Sequence, residues 1–304
     1  MTSKMVANFR RSLSFPNHHH NHSSKPRKPH HVRSTSLPCR SHPLISVLKD
    51  HNTLLKSWGS KPDTRTSAWL CDGLTRLKTI QDYLDDLLHL PQTHDSLRHH
   101  SDSIENLLEA FLRFIDVYGI FQTLVLALKQ ELSAAQVAIR RKDYSKLDCY
   151  LKAINKFGKE MSKLVSTVRS IGNSYASVPD CDAQLAEAIG DVNELTVLVS
   201  VALFNGISSA FLSRKSTWMG MRLLNKRKRV KVEEGIEEFQ LVGIESLLLG
   251  LRKKRHGGEE EEVKMVLKRM HGLEDCIVGI EVCSERVFRS LINTRVSLLN
   301  VLTK

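Results

Sequence analysis

A chain of 304 residues is long enough to bury a large hydrophobic core. Hydrophobic residues make up 41% and charged residues 26%, which excludes wholesale disorder. The net charge of +12 is uneven, because residues 1–41 hold eight of the 45 Lys and Arg residues and no acid, so the remainder carries only about +4. The composition therefore predicts a basic N-terminal segment and gives no indication of an extended nucleic-acid surface on the body.

Residues 1–41 are predicted to form a disordered basic tail. They are rich in Ser, His and Pro, and such a composition buries too little apolar surface to offset the entropy of ordering. The run from His18 to His22 has no rigid frame and no second cluster, so no metal site is predicted there. A transit peptide is an alternative interpretation, because the first 49 residues lack acids and contain Ser and Arg.

A short motif occurs twice in this tail. Arg11-Ser12-Leu13-Ser14-Phe15-Pro16 and Arg33-Ser34-Thr35-Ser36-Leu37-Pro38 both read R-S-x-S-x-P. Phosphorylation of Ser14 or Ser36 would place a near-dianionic group beside an Arg in an extended, Pro-terminated segment. Such segments resemble the ligands of 14-3-3 phosphoserine readers, which makes the candidate reader contacts Arg11, Pro16, Arg33 and Pro38. The alternative is chance, because short Ser/Arg/Pro patterns are common in basic tails.

Helical periodicity begins at Pro43 and continues to the C-terminus, with apolar residues every three to four positions and no convincing period-two segment. The predicted helices cover about 44–59, 66–90 (stopped by Pro91), 102–132 (with Glu105 in a capping box), 143–173 (capped by Asp143), 179–212, 233–254 and 259–302. The predicted fold class is all-α, an elongated multi-helix bundle over residues 42–304 with long helices typical of coiled-coil packing.

Residues 195–212 carry no charge over 18 residues, which just reaches the length of a membrane span. Several polar side chains interrupt the stretch, and charged residues flank it closely. A central helix buried inside the bundle is therefore the preferred interpretation, and membrane insertion or association is the alternative.

A basic cluster lies in the loop predicted over about 213–232, and a second basic run follows at 252–255. These clusters are typical of nuclear import or of contact with an anionic surface, either a membrane or a nucleic acid. The alternative is a solvated loop near helix ends, where cations favour the helix dipole. Few aromatic residues are interleaved, so base stacking is not predicted. The first cluster comprises Lys226, Arg227, Lys228, Arg229 and Lys231.

No sequence pattern nominates a catalytic, cofactor or metal site. The phosphate-binding loops, the nucleophile elbow and the helical metal-binding motifs are absent from the sequence. Cys276 and Cys283 are predicted to be core thiols, and Asp82, Asp85 and Asp86 to form a polar helix face. The six scattered Cys residues and the lack of a secretory signal favour the cytoplasm or nucleus.

Three segments are distinctive: His31 to Pro43, Tyr83 to Pro91 with its Leu-Pro ending, and Leu291 to Asn300. They resemble segments of a plant-specific family of helical proteins, catalogued as domain of unknown function 241 and grouped with Bypass-type proteins. The resemblance covers about residues 31–302. It implies a plant source, a helical fold, no known enzymatic activity and a role in root and shoot development.

These observations predict a non-enzymatic interaction or regulatory protein that has no cofactor, and the resemblance implies that it serves plant development. Its tail would dock phosphoserine readers in a phosphorylation-gated manner. The alternative is an anionic-surface binder that uses the basic clusters.

Overall fold

The computed structural model describes residues 42–60, 65–98, 101–174, 183–212, 235–239 and 259–303. Across these ranges the regular structure is helical throughout, with no strand, so the all-α prediction is confirmed. All of them belong to one compact unit, Ser41–Lys304. The α-helices are α1 Pro43–Ser60, α2 Ser67–Leu88, α3 Pro91–Arg98, α4 Ser101–Arg140, α5 Tyr144–Ser174, α6 Ala183–Leu212 and α7 Glu259–Thr303.

Local capping explains several of the helix boundaries. The Thr66 hydroxyl accepts a hydrogen bond from the Trp69 backbone N–H (3.1 Å) and starts α2. The predicted Asp143 cap of α5 is confirmed, since its carboxylate accepts from the Lys146 N–H at 3.2 Å. Pro91 does not only stop α2, as predicted, but is also the first residue of α3. A proline suits that position because the first N–H of a helix has no intrahelical partner.

The end of α4 lies two turns beyond the predicted Leu132. The extra segment up to Arg140 is rich in Ala, the strongest helix former. Lys142 then takes a left-handed conformation with φ of 55°. Its N–H donates to the carbonyl of Ile139 (3.1 Å), and the Asp143 N–H donates to that of Ala138 (2.9 Å). This pair of bonds is a Schellman motif, normally built around Gly.

One hydrophobic core joins the helices. α6 packs against α1, α2 and α5, while α7 packs against α2 and α4. Phe204 of α6 lies 5.9 Å from Tyr118 and 5.2 Å from Phe121 of α4, measured between ring centroids. The predicted apolar stripes of α4 and α7 are buried, except that Ile115 and Cys283 are half-buried. These contacts set the positions of every polar group considered below.

α1 and α2 meet at a tight aromatic contact. The rings of Trp58 and Trp69 stack at 4.2 Å with an interplanar angle of 10°, and the Trp58 indole N–H donates to the Trp69 carbonyl at 3.2 Å. Gly73 lies under the Trp58 ring, and a Cβ there would be 2.2 Å from Trp58 Cζ2. Only glycine allows this approach without displacement of the ring.

Among the described helices, two are long and apolar enough to cross a membrane by length and composition alone: residues Ile104–Arg140 of α4 and all of α6. In α6, 61% of the most apolar window is buried inside the bundle, and in α4 the share is 39%. Burial against neighbouring helices thus accounts for the uncharged stretch at 195–212. Membrane insertion or association of this stretch stays the alternative interpretation.

The predicted short helix over 233–254 is described only at residues 235–239. Glu237–Phe239 form one 3₁₀ turn. Phe239 is buried beside Phe211 of α6, with 5.6 Å between ring centroids, and the Ile236 N–H donates to the Gly206 carbonyl at 3.1 Å. The Glu238 carboxylate accepts the Ser67 N–H at 3.0 Å, which places a negative charge at the N-terminus of α2.

Candidate functional site

The sequence-predicted functional residues all lie outside the described residues. This holds for Ser14 and Ser36, for the reader contacts Arg11, Pro16, Arg33 and Pro38, and for the basic cluster Lys226, Arg227, Lys228, Arg229 and Lys231. Their roles stay predictions. The bundle itself offers four features that bear on function: its polar interhelical contacts, a thiol cluster, a cavity and an exposed helix face.

The carboxylates of α2 bind hydroxyl groups of α7. Ser290 donates to Asp82 Oδ1 at 2.7 Å, and Ser297 donates to Asp85 Oδ1 at 2.6 Å. Gln81, fully buried, donates to Thr196 of α6 at 2.8 Å. Hydrogen bonds to a charged acceptor are short and strong. Asp82 and Asp85 therefore help to fix the register of α7 on α2.

The second set of polar contacts joins α4 to α6 and α7. The buried Tyr118 hydroxyl lies 3.1 Å from the Ser200 hydroxyl, and burial raises the pKa of the Tyr118 phenol. This phenol stays protonated at neutral pH and can donate. Lys129 donates to Glu281 at 2.8 Å, across the α4–α7 contact. Within the described bundle, these groups are committed to interhelical contacts.

Three cysteines come together where α2 meets α7. The sequence predicted Cys276 and Cys283 as core thiols but missed Cys71, which joins them from α2. Burial, and then the neighbouring Cys283, raises the pKa of the Cys71 thiol to about 12. Such a thiol is protonated at neutral pH and is a poor nucleophile or metal ligand. Over the residues that the structure describes, no group of three or more His, Cys, Asp or Glu side chains could hold a metal ion.

A cavity of about 390 Å³ opens between α5 and α6. Asn193, 4% exposed, lines it with a side-chain oxygen that has no hydrogen-bond partner. The one lining carboxylate in the described part, Glu194, forms an ion pair with Lys56 at 3.6 Å. The described lining supplies no Ser, His or Cys that such a carboxylate could activate. It is formed by Arg169, Gly172, Asn173, Gly190, Asn193, Glu194 and Val197.

The outer face of α7 exposes an apolar stripe that we name the α7 seam. Its apolar members are between 36% and 49% exposed, although they lie on a helix whose opposite face is core. Two charged residues interrupt the stripe and pair with each other, Arg289 donating to the Glu285 carboxylate. Seven residues form the seam: Val278, Val282, Glu285, Arg289, Ile292, Val296 and Leu299.

Comparison with known proteins gives one match. The family described as Protein BPS1 matches residues 73–301, which is three quarters of the chain and runs from α2 through α7. No curated protein and no solved structure matches. The family match agrees with the resemblance found in the sequence, and family membership indicates a regulatory role in plant development. The chain belongs to the plant-specific BPS1 family.

Proposed function

We propose that this protein is a non-enzymatic regulator of root and shoot development in plants, which docks its partners through a phosphorylation-gated tail. The observation that carries the proposal is the twofold occurrence of R-S-x-S-x-P in an acid-free basic segment. Family membership supports the developmental role. The bundle would serve as the scaffold from which the tail is presented.

The bundle supports a scaffold role through the use of its polar side chains. Asp82, Asp85 and Gln81 bind side chains on neighbouring helices. An enzyme site would bring such groups to a cavity with strongly perturbed pKa values. Among the residues that the structure describes, the groups with large pKa shifts, Cys71 and Tyr118, are both held in their neutral forms between helices. This pattern favours binding over catalysis.

The tail chemistry specifies the partner class. A phosphoserine at position 14 or 36 carries a charge of about −1.5 to −2 and follows an Arg by three residues. The sites are 22 residues apart. If the tail is disordered as predicted, they are separated by about 26 Å on average and at most about 75 Å. Two pockets of a dimeric 14-3-3-type reader within that reach would bind both phosphoserines with a gain in avidity.

The test uses the full chain with phosphoserine installed at position 14, at position 36, or at both, titrated with a 14-3-3-type dimer in a calorimeter. We expect the reader to bind each singly phosphorylated chain weakly. It should bind the doubly phosphorylated chain at least about a hundredfold more tightly, which is the lower end of the gains expected when two linked sites bind together. The matched control carries phosphoserine at Ser12 and Ser34, which adds the same charge two motif positions away. Equal affinities of the doubly modified protein and this control would refute the proposal.

A second candidate is binding to an anionic surface, favoured by the basic cluster at 226–231 and the acid-free tail. Such binding depends on counterion release and collapses with added salt. The test measures binding of the unphosphorylated chain to anionic vesicles and to duplex DNA between low and physiological salt. Absence of binding even at low salt would exclude this candidate.

A further inference from the structure

We infer that the α7 seam is a self-association surface, which pairs antiparallel with the α7 seam of a second copy of this chain. The surface consists only of described residues of α7. Its exposed side chains belong to a helix that is otherwise well packed, since α7 contacts α2 and α4 along its inner side.

The spacing of the seam is that of a coiled coil. Its seven positions follow each other at intervals of four and three residues without interruption. This is the a/d pattern of a heptad repeat, in which the side chains of two helices interlock along a continuous line. From Val278 to Leu299 the seam runs for about 32 Å, which is long enough for six turns of contact. The inner face of α7 carries the buried stripe, so the outer heptad is not needed for the fold of one copy.

The charges in the α7 seam indicate which partner binds to it. Glu285 and Arg289 stand one turn apart at the middle of the stripe, with apolar residues on both sides. When two seams align antiparallel about a two-fold axis between these residues, Glu285 of each copy faces Arg289 of the other. In the same register Val282 faces Ile292, and Val278 faces Val296. The surface is thus self-complementary in charge and in apolar contact, as an isologous interface requires.

The parallel alternative is disfavoured by the same residues. In a parallel pair each position meets its own copy, so Glu285 would face Glu285 and Arg289 would face Arg289. Like charges in contact cost free energy and so disfavour the parallel pair relative to the antiparallel one. A lipid surface is also a poor occupant, because the two charged side chains would enter the apolar layer with the valines. The antiparallel second copy is the occupant that pairs six of the seven seam positions with one another, with Leu299 at the end of the stripe.

The expected association is modest. The apolar members are already about half buried, so docking removes only their remaining exposed area from water. Arg286 flanks the seam close to the proposed axis, so two like charges approach there. We therefore expect a dissociation constant on the order of micromolar, at the weak end for specific interfaces.

The first test measures the mass of the unphosphorylated full chain by sedimentation equilibrium up to about 100 μM, a range that reveals micromolar affinity. We expect a concentration-dependent dimer. Ile292→Asp should weaken the dimer by at least about tenfold, because an apolar layer on each side of the axis becomes charged. Leu126→Asp is the matched control, since Leu126 is 53% exposed on α4 and lies outside the seam. It should leave the dimer unchanged.

The second test exchanges the charges. Glu285→Arg alone and Arg289→Glu alone should each abolish the dimer, since like charges then face each other at the axis. An equimolar mixture of these two variants should associate as a heterodimer, in which both cross-pairs have opposite signs. Circular dichroism of each variant establishes that the helices are retained.

Three results would overturn the inference: a monomer at every concentration, a dimer unaffected by Ile292→Asp, or a mixture of the charge variants that remains monomeric. If the chain is monomeric while Ile292→Asp abolishes capture of a different protein, the seam binds a foreign helix and the second copy is the wrong occupant. The tail carries no phosphate in these experiments, so their failure leaves the proposed phosphoserine docking untouched.

Discussion

The contact between α1 and α2 predicts that replacement of glycine by alanine changes the stability of the protein in opposite directions at two positions. Gly73→Ala introduces a Cβ 2.2 Å from Cζ2 of Trp58, a distance at which the ring has to move. Gly272→Ala introduces a Cβ on the exposed side of α7, with no atom within 4 Å. Both positions lie inside helices, where alanine is favoured over glycine by about 1 kcal/mol. The atoms around each glycine therefore decide whether alanine stabilises or destabilises the protein.

The cost at Gly73 follows from what holds the Trp58 ring. Displacement forfeits the stacking on Trp69, which contributes about 0.5–1.5 kcal/mol, and the indole hydrogen bond, which contributes about 1 kcal/mol. Strain of neighbouring side chains brings the loss to about 2–4 kcal/mol, within the range of overpacked cores. After the helix-propensity gain of about 1 kcal/mol, Gly73→Ala should destabilise the protein by about 1–3 kcal/mol. Gly272→Ala should stabilise it by about 0.5–1 kcal/mol.

Urea unfolding monitored by far-ultraviolet circular dichroism measures both changes. Tryptophan fluorescence, to which Trp58 and Trp69 contribute together with Trp218, probes the Trp58–Trp69 stack. We expect a lower midpoint and an altered native emission for Gly73→Ala, and a higher midpoint with unchanged emission for Gly272→Ala. If both variants gain equal stability, Trp58 does not lie over Gly73 and the placement of α1 is wrong.

Three further predictions concern single side chains. Lys142→Gly should stabilise the protein by about 1 kcal/mol, because glycine adopts the left-handed conformation at no steric cost; a lower urea midpoint would contradict the Schellman motif. Tyr118→Phe should destabilise by about 1 kcal/mol, because the buried Ser200 hydroxyl loses a partner; an unchanged midpoint would argue against this bond. The raised pKa of Cys71 means that the folded state keeps the thiol proton at a pH where the unfolded state releases it. The contribution of this thiol to the free energy of unfolding is therefore complete below pH 9 and is lost progressively as the pH rises towards about 12. Between pH 7 and a pH above 9, the urea midpoint should therefore fall less for Cys71→Ala than for the unmodified chain. An equal fall in the two proteins would show that the thiol is not buried.

Much of the fold could be predicted from the sequence, because the helices are long and their apolar residues are regularly spaced. The stripe of α7 from Val266 to Leu298 and the cap at Asp143 are local signals, and both are confirmed apart from Cys283, which is half-buried. The sequence predicts that Pro91 stops α2 but not that it begins α3, because a proline that stops one helix equally suits the first turn of the next.

The features of the candidate surfaces were harder to predict because they depend on contacts between distant residues. Cys71 lies some 200 residues before Cys276 and Cys283 in the sequence, and only the packing of α2 on α7 brings the three together. The α7 seam is visible as a heptad from Val278 to Leu299, but the buried stripe has nearly the same period. Periodicity alone cannot tell which of two stripes faces the core.

The central claim, that the protein acts by binding partners through its phosphorylated tail, is tested most directly by affinity purification of the full chain from plant tissue. The purification is carried out with and without phosphatase treatment, alongside a variant with Ser14→Ala and Ser36→Ala. We predict that phosphoserine readers are retained by the untreated chain and are lost both after phosphatase treatment and from the variant. Retention of the same partners in all three samples would contradict the claim.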